Sequence, residues 1–122
     1  MKAVIIDFPS VFTKDQIDYI GLSVVESARE ICGNKLCDVI LYGSYARGDF
    51  DEWSDVDIVV LADADDTECK QINKKINDKL YDLIFQMNLL LSVMVIPYDR
   101  FCRMKNHYPF YANISKEGVK LC

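Results

Sequence analysis

The chain has 122 residues, 51% hydrophobic and 27% charged, which fits a single globular domain over residues 1–122 with enough apolar side chain for a core. Its net charge of -5, from 14 basic and 19 acidic residues, argues against a general nucleic-acid or membrane binder, because either needs a basic face. It leaves a phosphate ligand open, since bound cations can supply positive charge.

The apolar run at residues 3–6 reads as a short edge strand or a loose arm. Thr13 and Gln16 then form a T-x-x-Q capping box, and Ile17, Ile20, Val24, Ala28 and Ile31 recur at helical spacing up to Gly33, where the helix is expected to stop. Val39 to Tyr42 is a β-prone run ending at Gly43. Val56 to Leu61 is nearly all apolar and predicts a strand buried on both faces. The acidic run Asp63 to Asp66 marks a helix start, since carboxylates favour the positive end of the helix dipole. From there Ile72, Ile76, Leu80, Leu83, Ile84 and Met87 predict a long amphipathic helix. Leu89 to Ile96 reads as a third buried strand closed by Pro97, with short helices at 99–105 and 110–117 and Gly118 as a stop. This order predicts an α/β (α+β) domain: a short mixed sheet with flanking helices, placed on one side of it. The five cysteines form no C-x-x-C pair, follow no secretory signal and read as reduced thiols. No run approaches the roughly 18 apolar residues of a membrane span, so the expected location is the cytoplasm.

The connection between the first two strands concentrates the unusual polar residues. Gly43 directly after a strand allows a sharp turn and close approach of a ligand to main-chain amides. Ser44 opens a helical turn, which suits an anionic phosphate oxygen, and Arg47 lies one turn further on. Asp55 and Asp57 stand two apart at the head of an apolar strand, so their side chains are expected on one face. Two unpaired carboxylates buried there would cost several kcal/mol, and a cation between them removes that conflict. Magnesium prefers hard oxygen ligands and often uses one or two carboxylates plus substrate phosphates.

Gly43-Ser44, ten residues (45 to 54), then Asp55-Val56-Asp57 resembles the signature of the minimal nucleotidyltransferases of the DNA polymerase beta-like superfamily. Ala46-Arg47-Gly48, Ser54-Asp55 and the tail from Tyr108 to Val119 also look like that family, so the resemblance runs from about residue 13 onward. It implies the nucleotidyltransferase fold, ATP as the nucleotide substrate held by Gly43 and Ser44 with help from Arg47, and Mg2+ on Asp55 and Asp57. Stand-alone members of this size commonly act as antitoxins paired with a HEPN-domain ribonuclease toxin. Some transfer AMP from ATP to a tyrosine of that toxin, and others resemble aminoglycoside nucleotidyltransferases. One departure from the family pattern stands out. Active members carry a third acidic residue on the next core strand, where this chain offers only Ser92. That favours, as the alternative, an antitoxin that neutralises its toxin by docking. Small-molecule transfer ranks last, because 122 residues leave little room for an acceptor domain.

The remaining candidates have plainer readings. Asp99 reads as a helix cap in preference to a distant substitute for the third acid, and Lys105 and His107 as surface residues in preference to phosphate contacts. Tyr108, Phe110 and Tyr111 read as packing for the last helix in preference to a base-stacking platform. Asp49, Asp51 and Glu52 read as a solvated loop face, with contact to basic residues of a partner as the alternative. Trp53 stacks on adenine, meets a partner or covers the core edge, and the sequence does not separate these.

Overall fold

The first helix, α1 (Lys14–Cys32), begins at the capping box that the sequence predicts. The Gln16 amide donates to Thr13 Oγ1 at 3.1 Å and the Thr13 amide to Gln16 Oε1 at 2.8 Å. Gly33, at φ 58°, ends it. The structure, a computed structural model, describes residues 11–122; the strand or arm expected at residues 3–6 lies outside them. A 3-10 turn (Gly33–Lys35) leads into β1 (Leu36–Tyr42), and a four-residue helical turn, α2 (Ser44–Arg47), follows the glycine. Next come β2 (Val56–Ala62), α3 (Asp66–Met87), β3 (Leu91–Pro97), α4 (Tyr98–Met104), α5 (Pro109–Glu117) and a two-residue strand, β4 (Val119–Lys120).

The sheet is mixed, in the order β3-β2-β1-β4. β2 runs antiparallel to β1 and parallel to β3, and β4 adds antiparallel to the free edge of β1. Parallel pairing of β2 with β3 requires a crossover, which α3 provides. Every residue from Ile58 to Leu61 is fully buried, as an apolar run without alternation predicts.

That double burial corrects the expectation of helices on one side only. On one face, α1 and α3 close over Val39, Leu41, Ile58, Val60, Val93 and Val95. On the other, Phe101 of α4 and Ile114 of α5 cover Ile40, Val59, Leu61 and Ile96. Each of these short helices buries a single residue, so neither shows an apolar stripe strong enough to betray the second layer. Other boundaries differ as well, and β1 starts at Leu36, ahead of the apolar run from Val39. β3 starts at Leu91, because Asn88 adopts the left-handed conformation after α3 and the Leu89 amide still bonds back to Ile84 O at 3.0 Å. Asp65, not the whole acidic run, caps α3 by accepting from the Glu68 amide at 2.8 Å. Asp99 does not cap α4; it sits in the first turn and pairs with Arg103 at 3.1 Å. All five cysteines are free. Among the described residues, no helix is long and apolar enough to cross a membrane.

Gly118 fixes α5 against the sheet. It ends the helix at φ -67°, so it is not there for a left-handed turn. Its hydrogen instead lets the chain pass tightly between α5 and β1: a Cβ would collide with Ile114 O and Ile40 Cγ2. Gly118→Ala is expected to destabilise by about 1–3 kcal/mol, the usual cost of overpacking where backbone cannot yield. Urea unfolding measures it.

Candidate functional site

Asp57 is the first residue of β2 whose side chain lies on the α4–α5 face, and register gives it two neighbours across the sheet. Tyr42 of β1 pairs with it on one side and Ser92 of β3 on the other. In-register residues share a face, so Tyr42, Asp57 and Ser92 form one row. Ser92 thus holds the place beside Asp57 where the family pattern calls for a third acid. Asp57 is half-buried and its carboxyl titrates above the ordinary range, first because burial disfavours the charge and then because Asp55 repels it, with Arg47 acting in the opposite direction. The Tyr42 phenol is also pushed up, by burial and then by Asp57.

The structure corrects one part of the twin-carboxylate expectation. Asp55 precedes β2 and is exposed, so only Asp57 bears a burial cost. The strand's burial begins at Val56, and the residue before it still belongs to the loop. The two acids remain electrostatic neighbours, and like charges at close range favour a shared cation.

Gly43 brings the turn against Asp57. Its backbone, at φ 76° and ψ -158°, lies in a region that essentially only glycine occupies. A Cβ there would run into Asp57 Oδ2. Gly43 O accepts the Ala46 and Arg47 amides at 3.1 Å each, which coils Ser44–Arg47 into α2 and leaves the first amides of the turn without an intrahelical acceptor. Tyr45 anchors this turn from behind: it stacks on Phe50 at 4.4 Å between centroids, and its hydroxyl accepts the Phe12 amide at 3.2 Å.

These groups line a cleft of about 330 Å³. Tyr42, Gly43, Ser44, Arg47 and Asp57 form one wall, and α5 supplies the other through Phe110, Asn113, Ile114 and Glu117. Arg47 reaches across it, donating to Glu117 at 3.3 Å and to Asp49 at 3.1 Å. Four of the five residues expected at the site therefore line one cleft, and Asp55 is not part of the lining. Of this α5 wall the sequence reading singles out only Phe110, and there it prefers packing to base stacking. Phe110 does more than pack its helix; it stays 43% exposed on the cleft. The signal was present as the spacing 110, 113, 114, 117, which puts these side chains on one helical face. Lys105, His107 and Tyr108 are not part of that lining. Trp53 is 72% exposed, so it does not cover the core edge. Asp51, solvated as expected, organises the loop by accepting from the Trp53 amide at 2.9 Å and Ser54 Oγ at 3.2 Å.

A magnesium ion fits this donor set. The glycine cradle holds backbone against a carboxylate with no side chain between, and a second carboxylate raises the first. Among the described residues no three acidic, histidine or cysteine side chains gather into a complete metal site. Two carboxylates would be the protein's share, with the remaining positions left to water and phosphate.

The family described as nucleotidyltransferase domain matches residues 25–122. Two proteins of Methanocaldococcus jannaschii that carry the provisional name of protein adenylyltransferase are similar. One is 31% identical over 83 residues (66% of this chain, 72% of that protein), the other 37% over 67 residues (55% and 62%). Among solved structures, a toxin–antitoxin complex with AMP-PNP superposes with a TM-score of 0.51 at 18% identity, covering 84% of this chain and 72% of its own. A mutant MntA–HpeT toxin–antitoxin complex, in which two aspartates two positions apart are replaced by glutamate, gives 0.51 at 16% over the same shares. The chain belongs to the nucleotidyltransferase domain family. It has that family's fold and is a nucleotidyltransferase.

Proposed function

We propose that the chain transfers AMP from magnesium-bound ATP to a hydroxyl on a protein, a tyrosine of a HEPN-type toxin partner. The observation that carries this is the seating of the Gly43–Ser44 turn directly on Asp57, with Asp55 close enough to perturb it. The relatives provisionally named as protein adenylyltransferases support a protein acceptor, and the structural neighbours' toxin–antitoxin pairing supports the partner.

The chain's own residues divide the work. Gly43 and Ser44 hold the β- and γ-phosphates through main-chain amides and the hydroxyl. Arg47 exchanges its carboxylate partners for a phosphate oxygen. Asp55 and Asp57 would hold Mg2+, which supplies neutralisation of phosphate charge and of the departing pyrophosphate. The acceptor oxygen bonds to the α-phosphorus, the bond to the β-phosphate oxygen breaks and pyrophosphate leaves. The hydroxyl proton passes to water, because Ser92 offers no anionic base beside Asp57.

Incubation with α-labelled ATP, Mg2+ and the toxin partner tests the reading: label on the partner, lost in Asp57→Ala, is expected. That same Ser92 favours a second reading, neutralisation by docking alone. Suppression of toxicity that survives Asp55→Ala together with Asp57→Ala selects it. A further expectation concerns Glu117, which competes with phosphate for Arg47. Both side chains are partly exposed, so the pair is weak. Glu117→Gln is expected to tighten Mg-ATP binding by no more than about fivefold, as titration calorimetry would show.

A further inference from the structure

The phosphate-binding wall uses only half the cleft, and the facing half carries side chains that no phosphate or metal needs. Phe110 is a large aromatic, 43% exposed at the cleft. It is not loose: Tyr42 packs against it at 6.0 Å and 89° and Tyr111 at 5.4 Å and 80°. Asn113, one turn along the same face of α5, is exposed and lines the same cleft. A rigid aromatic paired with a side-chain amide is the chemistry that recognises a nucleobase and its sugar: a π face for stacking, and both a donor and an acceptor for polar edges. Glu117 closes the row next to Arg47, so the helix runs from an aromatic end to the phosphate end of one cavity.

We propose that α5 is the nucleoside-recognition wall, with Phe110 stacking on the base and Asn113 hydrogen-bonding to a polar edge of the base or ribose. This rests on the nucleotidyltransferase reading above and adds the part of the ligand that the motif residues leave unread. Specificity for a nucleotide over bare polyphosphate then resides in a helix more than 50 residues downstream of the motif.

The test compares Mg-ATP with magnesium tripolyphosphate, which keeps the phosphates and lacks the nucleoside, by calorimetry on the full chain. The unsubstituted chain is expected to bind ATP at least about tenfold more tightly than tripolyphosphate, in line with one stacked base. Phe110→Ala is expected to remove most of that margin and Asn113→Ala to cut it by about threefold to tenfold. Both leave tripolyphosphate binding unchanged. Phe110→Leu keeps apolar packing on Tyr42 but lacks the π face, and it is expected to behave like Phe110→Ala. Equal affinity of the unsubstituted chain for both ligands, or an ATP affinity untouched by these variants, overturns the nucleoside wall and leaves the phosphate site standing. Parallel loss of both ligands in Phe110→Leu makes the ring a packing residue and also overturns it. Failure of the unsubstituted chain to bind either ligand with Mg2+ overturns the nucleotidyltransferase reading beneath it.

Discussion

Asp57→Asn is expected to lower AMP transfer by about 10²–10³-fold while leaving the ligand-free fold as stable as before or more so. The two effects have one cause. Asp57 is held partly out of water beside a second acid, so in the ligand-free chain its charge opposes folding. Its folded-state pKa lies above its unfolded one. Its contribution to stability is therefore fully present at low pH and is lost as pH rises through the raised value. Asparagine keeps the shape and removes that loss. Thermal unfolding in chelator at neutral pH should show a rise of a few degrees at most, because the group is only half-buried. With Mg-ATP added the order reverses: the unsubstituted chain gains stability from the ligand and the variant does not. A variant that is both less stable without ligand and fully active would contradict the assignment.

Gly43→Ala is the second large effect, and it strikes fold and ligand together. The new Cβ meets Asp57 Oδ2, and the backbone at φ 76° is strained for any side chain. Strain and overpacking together are expected to cost about 2–5 kcal/mol. Relief of the clash must move either the turn or the carboxylate, so Mg-ATP affinity should fall by more than about tenfold even where the chain remains folded. Gly48 is the matched control. It also sits at positive φ, 89°, yet a Cβ there meets nothing within 4 Å. Gly48→Ala should lose about 1–2 kcal/mol from strain alone and keep its affinity. Equal loss of binding in the two variants would mean that strain, and not contact with Asp57, links the glycine to the site.

Much of this architecture is written locally. The Thr13–Gln16 box, the unbroken apolar run of β2 and the Gly-Ser to Asp-x-Asp spacing all act within a few residues or a fixed loop. The rest depends on pairings distant in sequence. β4 is two residues long and exists because its edge meets β1, with the Leu121 amide bonding to Val39 O at 2.7 Å. Neither residue of β4 has a pattern that could announce a strand. The α5 wall is hidden for the same reason: Phe110 reads more readily as packing than as a base-stacking residue until Gly118 seats the helix on Ile40. Asp55 misled in the opposite direction. Its two-residue spacing from Asp57 is strand-like, but the strand begins one residue later and leaves it in solvent.

A crystal structure of the chain with Mg2+ and a non-hydrolysable ATP analogue tests the central claim most directly. The predicted result is an ion about 2.0–2.1 Å from oxygens of both Asp55 and Asp57, bridging to phosphates seated on the Gly43–Ser44 amides. Phosphates bound elsewhere, with Asp55 still turned to solvent and Asp57 without a cation, would contradict it.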